Sequence, residues 1–256
     1  MKQLIGIFFI SVVLVCGIVS CKKDQVTGLD MGYNYFPNQV GRYVVYNVDS
    51  FFYANSTHIE TFKFQLKEKI QSVYLDNQNR PTLRLERSVK HFNDTVSYGA
   101  MPWILRNVWA ENRTATTAEK VEENVRFVKL IFAVTKDKSW NGNAQNINEE
   151  IDYKYSFVDQ TKIIGGNTFD STLEVEQQNH LDLISQQYYV EQYAKNVGMV
   201  YKQVIDVNSQ PNPNWYNSLL FPFGNDSVTA FYQKPILQRV TSGTQYTYTV
   251  NSFGTE

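Results

Sequence analysis

Cysteine is scarce in this chain of 256 residues, which contains two, Cys16 and Cys21. Cys16 lies within an N-terminal apolar run, and Cys21 follows that run directly. If the run is removed on export, a single thiol remains and no intramolecular disulfide can form. The three histidines and the two cysteines also lack the spacing of a zinc site, so we expect no metal.

An excess of either charge is absent too. The chain has 24 basic and 25 acidic residues, a net charge of −1, and therefore lacks the basic field that nucleic acid requires. It contains no G-x-S-x-G, P-loop, G-x-G-x-x-G or H-E-x-x-H sequence. We therefore expect a protein that is not an enzyme, holds no cofactor and binds no nucleic acid.

Three pairs of polar residues at strand spacing deserve comparison with a metal or acid–base site. Each pair puts two side chains on one face of a strand, but a metal needs at least one further ligand and acid–base catalysis needs a defined geometry. A solvated strand face is the simpler interpretation of all three. The pairs are His58 with Glu60, Glu174 with Glu176, and His180 with Asp182.

The N-terminal segment has the layout of an export signal. Lys2 is followed by an apolar run, 4–19, which at about 16 residues is shorter than the roughly 20 that a membrane-spanning helix needs. The run ends in Ile18-Val19-Ser20-Cys21, which resembles a bacterial lipobox. That resemblance implies diacylglycerol on the Cys21 sulfur and cleavage before Cys21.

The lipobox interpretation predicts both the cellular location of the protein and its division into segments. Two or three acyl chains would hold the chain stably on a membrane. Lys22 stands where an Asp would signal retention in the inner membrane, so we expect a lipid anchor in the outer membrane, on the periplasmic or surface face. The predicted plan is a signal peptide at 1–20, a lipidated tether at 21–34 and a β-rich domain at 35–256.

Period-two alternation of apolar and polar residues is the strongest pattern in the rest of the chain. It is clear at 61–67, 151–157 and 244–250, and more continuously apolar stretches occur at 42–48, 125–134 and 199–207. Such patterns predict antiparallel strands with one buried face. The fold class predicted is mainly β, a curved antiparallel sheet, open or closed and barrel-like, with few short helices.

Local signals predict turns and helices within this plan. Asp76–Pro81, Gly165–Asn167 and Ser242–Gly243 carry turn residues. Thr117–Asn124 and Asn179–Gln187 are the best candidates for short helices.

Three segments resemble a group of uncharacterised Gram-negative lipoproteins. They are Tyr35–Tyr46 (YFPNQVGRYVVY), Lys138–Gly142 (KSWNG) and Tyr193–Lys202 (YAKNVGMVYK). The resemblance implies a β-rich envelope lipoprotein without assigned activity, and it transfers no site residues. Tyr35, Phe36 and Trp140 are expected to pack the core.

Two aromatic segments are candidates for ligand contact. The proline-punctuated stretch 211–224 carries Trp215, Tyr216, Phe221 and Phe223, which could stack on a glycan, bind a hydrophobic ligand or plug one end of the sheet. The second segment, 101–109, has two tryptophans and suits a core lid as well as a binding surface.

Three classes of function remain open at this stage. A module that binds a ligand or an envelope partner predicts a concave aromatic face, which we place on Tyr153, Tyr155, Phe157, Trp215 and Phe223. A structural or accessory subunit of an outer-membrane complex predicts a filled interior and a flat exposed patch. A hydrolase, the least favoured, predicts clustered carboxylates or a His–carboxylate pair in a cleft.

Overall fold

Strands make up most of the chain that the computed structural model describes, which is residues 28–92, 95–210 and 224–256, with the side chains of 224–228 left out. In chain order they are β1 (Arg42–Asn55), β2 (His58–Leu75), β3 (Pro81–His91), β4 (Ile104–Arg113), β5 (Thr117–Glu122), β6 (Val125–Ile131), β7 (Ser139–Asn141), β8 (Asp152–Ile164), β9 (Asn167–Leu181), β10 (Ser185–Ala194), β11 (Gly198–Asn208) and β12 (Ser242–Thr255). Three short 3₁₀ turns and one helix, α1 (Gly224–Gln233), complete the described elements. The predicted fold class is confirmed.

All twelve strands belong to one antiparallel sheet in the order β6-β5-β4-β3-β2-β1-β12-β11-β10-β9-β8-β7. The order is a meander in which strands adjacent in sequence are paired, except that β6 and β7 lie at opposite edges of the sheet. The pairing of β1 with β12 joins the first strand to the last. Every connection is thus a hairpin or loop, which explains why the chain needs few helices.

The sheet curls until its two edge strands almost meet. The backbone N–H of Val128 on β6 donates to the carbonyl of Gly142, just past β7, at 2.9 Å. The indole Nε1 of Trp140 on β7 donates to the carbonyl of Val128 at 2.8 Å. These bonds satisfy backbone groups that an open edge would leave unpaired, and the result is a nearly closed barrel.

The segment before β1 plugs one end of the barrel. Tyr35 and Phe36 are buried in a core cluster with Trp140 and Tyr155, as the sequence predicted for Tyr35, Phe36 and Trp140. The Tyr35 hydroxyl donates to Asp159 Oδ1 at 2.7 Å. One end of the barrel is therefore closed by packed aromatic side chains.

Two predicted helices and one predicted turn are wrong. Thr117–Glu122 forms β5, and Asn179–Gln187 forms the end of β9, a turn and the start of β10. Both stretches are short and polar, so pairing with neighbouring strands outweighs their weak helical preference. Ser242–Gly243 begins β12 instead of making a turn. The turns at 76–80 and 165–166 are confirmed.

In the described part of the chain, no helix has both the length and the apolar character that crossing a membrane requires.

Candidate functional site

The barrel encloses a cavity of about 820 Å³. Twelve strands make a barrel wider than the eight-stranded kind, whose interior side chains just fill. The plug and the core cluster occupy only part of this interior. The remaining volume lies in the range of small-molecule sites, about 300–1,000 Å³.

The mouth of the cavity lies opposite the plug, beside the β1–β2 turn. Phe62 and Ile104 line the cavity, yet their residues are 48% and 58% exposed, which marks the open end. Ser50 and Phe64 continue the wall inward, whereas Phe36 and Val197 line the closed end. Exposed His91 and Arg106 line the cavity too, so a ligand would first meet a mouth of apolar, imidazole and guanidinium side chains.

The deeper wall carries two clusters of buried charges. In the first, Glu68 on β2 accepts from Arg87 Nε at 2.8 Å and from Lys120 Nζ at 2.9 Å. Lys120 Nζ also lies 3.4 Å from Glu111 Oε1. Arg87 stacks on Trp109, with its Cζ atom 3.4 Å from the ring centroid. We call these residues the Glu68 cluster.

The second group, the Glu191 cluster, lies on β5, β6, β10 and β11. Glu191 Oε1 lies 3.0 Å from the Nζ atoms of both Lys129 and Lys202. Glu191 Oε2 accepts from the Tyr193 hydroxyl at 2.6 Å. Glu122 holds the other side of Lys129 at 2.8 Å. Buried charges persist only when they are paired in this way.

Pairing decides the ionisation of these groups. Burial alone would raise the pKa of Glu68, but Lys120 and Arg87 outweigh it and lower the pKa. The same competition lowers the pKa of Glu122 to about 2 and takes that of Glu191 lower still, through Lys129 and Lys202. The three carboxylates are therefore ionised at neutral pH.

Glu111 behaves differently from the other three carboxyls. Burial raises its pKa, and the single contact with Lys120 does not compensate because Glu68 lies close by. The pKa of Glu111 thus shifts in the direction opposite to those of Glu68, Glu122 and Glu191.

The sequence reasoning missed these charged residues, although a signal for them exists. Glu68 occurs in the same phase of β2 as Phe64 and Ile70, and Arg87 shares the phase of Leu85 on β3. A charged residue in the apolar phase of a strand indicates an interior that is polar and paired with other charges.

The aromatic face expected on β8 does not line the cavity. Tyr153 and Tyr155 are buried in the core cluster. The Tyr155 hydroxyl donates to the carbonyl of Ile131 at 2.8 Å and accepts from its N–H at 2.9 Å. Phe157 is half-buried under Lys162. Their role is to pack the plugged half of the barrel.

Of the two tryptophans in segment 101–109, considered above as a core lid or a binding surface, one lines the cavity and the other does not. Trp109 lines the cavity and donates from Nε1 to Glu123 Oε1 at 3.1 Å. Trp103 lies away from the cavity wall, beneath the ammonium groups of Lys67 and Lys90.

The other candidate residues have different outcomes. His58 lies 3.2 Å from Glu60 and His180 lies 3.1 Å from Asp182, each pair exposed on a strand or turn. Within the described ranges no group of three or more His, Cys, Asp or Glu side chains could hold a metal ion. Cys21 and the aromatic residues Trp215, Tyr216, Phe221 and Phe223 lie outside the described residues.

Comparison with known proteins adds a distant likeness. A solved structure from Bacteroides fragilis, described as a candidate exported protein with a YmcC-like fold, shares 10% identity with this chain. The match has a TM-score of 0.42 and covers 86% of this chain and 98% of that chain. A similarity this distant supports no inference about function. No family model matches the sequence, and no curated protein does either.

Proposed function

We propose that the protein is a cell-envelope lipoprotein, anchored in the outer membrane through Cys21, whose barrel binds a ligand without catalysing a reaction. The cavity of about 820 Å³, open at one end, is the observation that carries the proposal. A wall that combines apolar residues such as Phe62 and Ile104 with a limited set of polar groups is the composition expected of a small-molecule site.

The absence of catalysis in this proposal rests on how the inner carboxylates are used. Glu68 and Glu191 each hold two cations, so neither is placed as a free base or nucleophile. A hydrolase of the two-carboxylate kind needs one protonated and one ionised carboxyl group, both with access to the bond that is cleaved. Glu111 contacts Lys120, and the neighbouring Glu68 is itself ion-paired with Arg87 and Lys120.

Blocking the cavity mouth tests the binding function. Ser50→Trp puts a large ring in the wall of the mouth, whereas Thr61→Trp puts the same ring on an exposed strand position. We expect the neutral fluorophore N-phenyl-1-naphthylamine to bind the full-length protein in phosphatidylcholine nanodiscs, and to bind at least tenfold more weakly to Ser50→Trp alone. Equal binding by both variants would contradict a site in the cavity.

The anchor is tested separately by intact mass and membrane fractionation in a Gram-negative host. Wild type should carry acyl mass and fractionate with the outer membrane, and Cys21→Ala should do neither. Identical behaviour of the two proteins would remove the lipoprotein assignment.

A structural or accessory subunit is the second candidate function. Leu105 at the start of β4 is a large apolar side chain that is 52% exposed outside the cavity, and a protein partner would cover it. Leu105→Glu should then lower the mass of the native envelope complex without changing fluorophore binding. An unchanged mass argues against this candidate.

A further inference from the structure

Some polar groups on the cavity wall already have all their hydrogen-bond partners, and others have donors left. Glu68 and Glu191 have both carboxylate oxygens engaged by cations or a hydroxyl. Lys120 and Lys129 each reach two carboxylates. The carboxylate oxygens of Glu68 and Glu191 therefore have their hydrogen-bond donors already. The groups that could still bind a ligand are the N–H and O–H donors of other residues on the wall.

Several cations on the wall keep such donors, and Lys202 and Arg87 are the two that belong to the buried clusters. Among the described residues, Lys202 Nζ pairs within 4.0 Å with Glu191 only, and its side chain is 13% exposed against 4% for Lys129. An ammonium has three N–H donors, so Lys202 has donors left over. Arg87 uses Nε on Glu68, Nη1 on Asn107 and a further N–H on the Tyr248 hydroxyl, which still leaves N–H groups of its five.

Two tyrosines of β12 lie between these cations. The Tyr248 hydroxyl lies beside the Arg87 guanidinium, and Tyr246 and Tyr248 both lie within the field of Lys202. Their ring centroids are 5.5 Å apart, and both rings line the cavity. Because guanidinium and ammonium groups offer no acceptor, the two hydroxyl hydrogens are not consumed by them.

These four donor-bearing residues thus line the same cavity as the apolar Phe62 and Ile104 of its mouth. We propose that the ligand is an amphipathic anion whose oxyanion group, a carboxylate or a phosphate, binds Arg87, Lys202, Tyr246 and Tyr248 while its apolar part contacts Phe62 and Ile104. This inference rests on the proposed function.

Two fluorophores with the same ring system test the inference. N-phenyl-1-naphthylamine is neutral, and 8-anilinonaphthalene-1-sulfonate adds one oxyanion. With full-length protein in phosphatidylcholine nanodiscs, and empty nanodiscs subtracted, we expect the sulfonate to bind at least tenfold more tightly. Charge-assisted hydrogen bonds of this kind give an advantage of about that size.

Variants locate the source of the advantage. Lys202→Met and Tyr248→Phe should each reduce the preference for the sulfonate severalfold and leave binding of the neutral fluorophore unchanged. Lys202→Arg should retain the preference. Lys154→Met, which removes an exposed ion-paired lysine of β8, is the matched control. Tyr248→Phe keeps the ring and so covers the case in which Lys202→Met fails to fold.

Competition identifies the chemistry of the anion. Displacement of the sulfonate by octanoate points to a carboxylate ligand, and displacement by octyl phosphate points to a phosphate. The inference is overturned if neither displaces it, if the neutral fluorophore binds as tightly, or if the preference survives in both Lys202→Met and Tyr248→Phe. Binding of the neutral fluorophore without preference would leave the proposed function intact, whereas binding of neither would remove both.

Discussion

At the scale of single residues, the molecule depends on charges that face one another across the barrel interior. Glu68 alone holds Arg87 and Lys120, and its residue is 6% exposed. A buried ion pair is weak evidence for stability as a whole, but removal of one partner leaves the others uncompensated.

Glu68→Gln therefore gives the first prediction. We expect the free energy of unfolding to fall by about 3–5 kcal/mol, because buried Arg87 loses its carboxylate partner and Lys120 keeps only its 3.4 Å contact with Glu111. Denaturant unfolding of Glu86→Gln, whose partner Arg84 is on the surface, should show a loss below about 1 kcal/mol. Similar losses in both variants would mean that cavity water screens the Glu68 cluster.

Asp159 gives a prediction about pH. Hydrogen bonds from Lys195 and Ser171 lower its pKa to about 2, against about 3.9 in an unfolded chain. Its contribution to stability is thus fully present above about pH 4 and is lost as the pH falls through 2. The loss of stability over this interval should be smaller in Asp159→Asn than in wild type.

Asn is a suitable replacement for Asp159. Asp159 has φ of +55°, a conformation that Asn adopts readily, so the substitution removes the charge without new strain. The Asp159 side chain is 59% exposed, so the difference between the proteins should shrink at high salt. A difference that ignores salt would point to a structural effect instead of the charge.

At the scale of elements, the hairpin between β8 and β9 presses against β12. Gly165 and Gly166 form its turn, with φ of +58° and +79°. A Cβ on Gly165 would lie 1.8 Å from the carbonyl oxygen of Val250, whereas a Cβ on Gly166 would meet nothing within 4 Å.

Alanine substitutions at these two glycines therefore distinguish the cost of a left-handed backbone from the cost of a steric clash. Gly166→Ala should cost about 1–2 kcal/mol, the usual penalty of a left-handed backbone for alanine. Gly165→Ala pays the same penalty and must also push the hairpin off β12, so its loss should exceed about 3 kcal/mol. Thermal or denaturant unfolding of both variants decides the matter, and equal losses would show that the hairpin moves freely.

At the scale of the whole molecule, the near-closure of the barrel depends on the contact between β6 and β7. Trp140→Phe removes the donor to the Val128 carbonyl and should cost about 1–3 kcal/mol. Hydrogen exchange at the Val128 amide, which bonds to Gly142, should accelerate. Trp103→Phe, away from the contact between β6 and β7, should change neither quantity.

Features that depend on residues close in sequence could be predicted, whereas features that depend on contacts between distant strands could not. Alternation along β2, β8 and β12 depends on neighbours two residues apart, so strands and fold class could be predicted. Thr117–Asn124 was predicted as a helix but contains strand β5, because pairing with β4 and β6 outweighs a weak local preference for helix. The expected aromatic binding face on Tyr153 and Tyr155 was misplaced because alternation shows a buried face without showing what fills it.

The sequence by itself determined the β class and the phase of the clearly alternating strands, and it carries the lipobox-like sequence that predicts an anchor, since all three are local patterns. Only the tertiary structure decided that Glu68 meets Lys120, 52 residues away, and that Lys129 meets Glu191, 62 residues away. It also decided that a twelve-stranded sheet curls far enough to enclose a cavity. Strand order and curvature bring these groups together, and neither can be read from the period of a single strand.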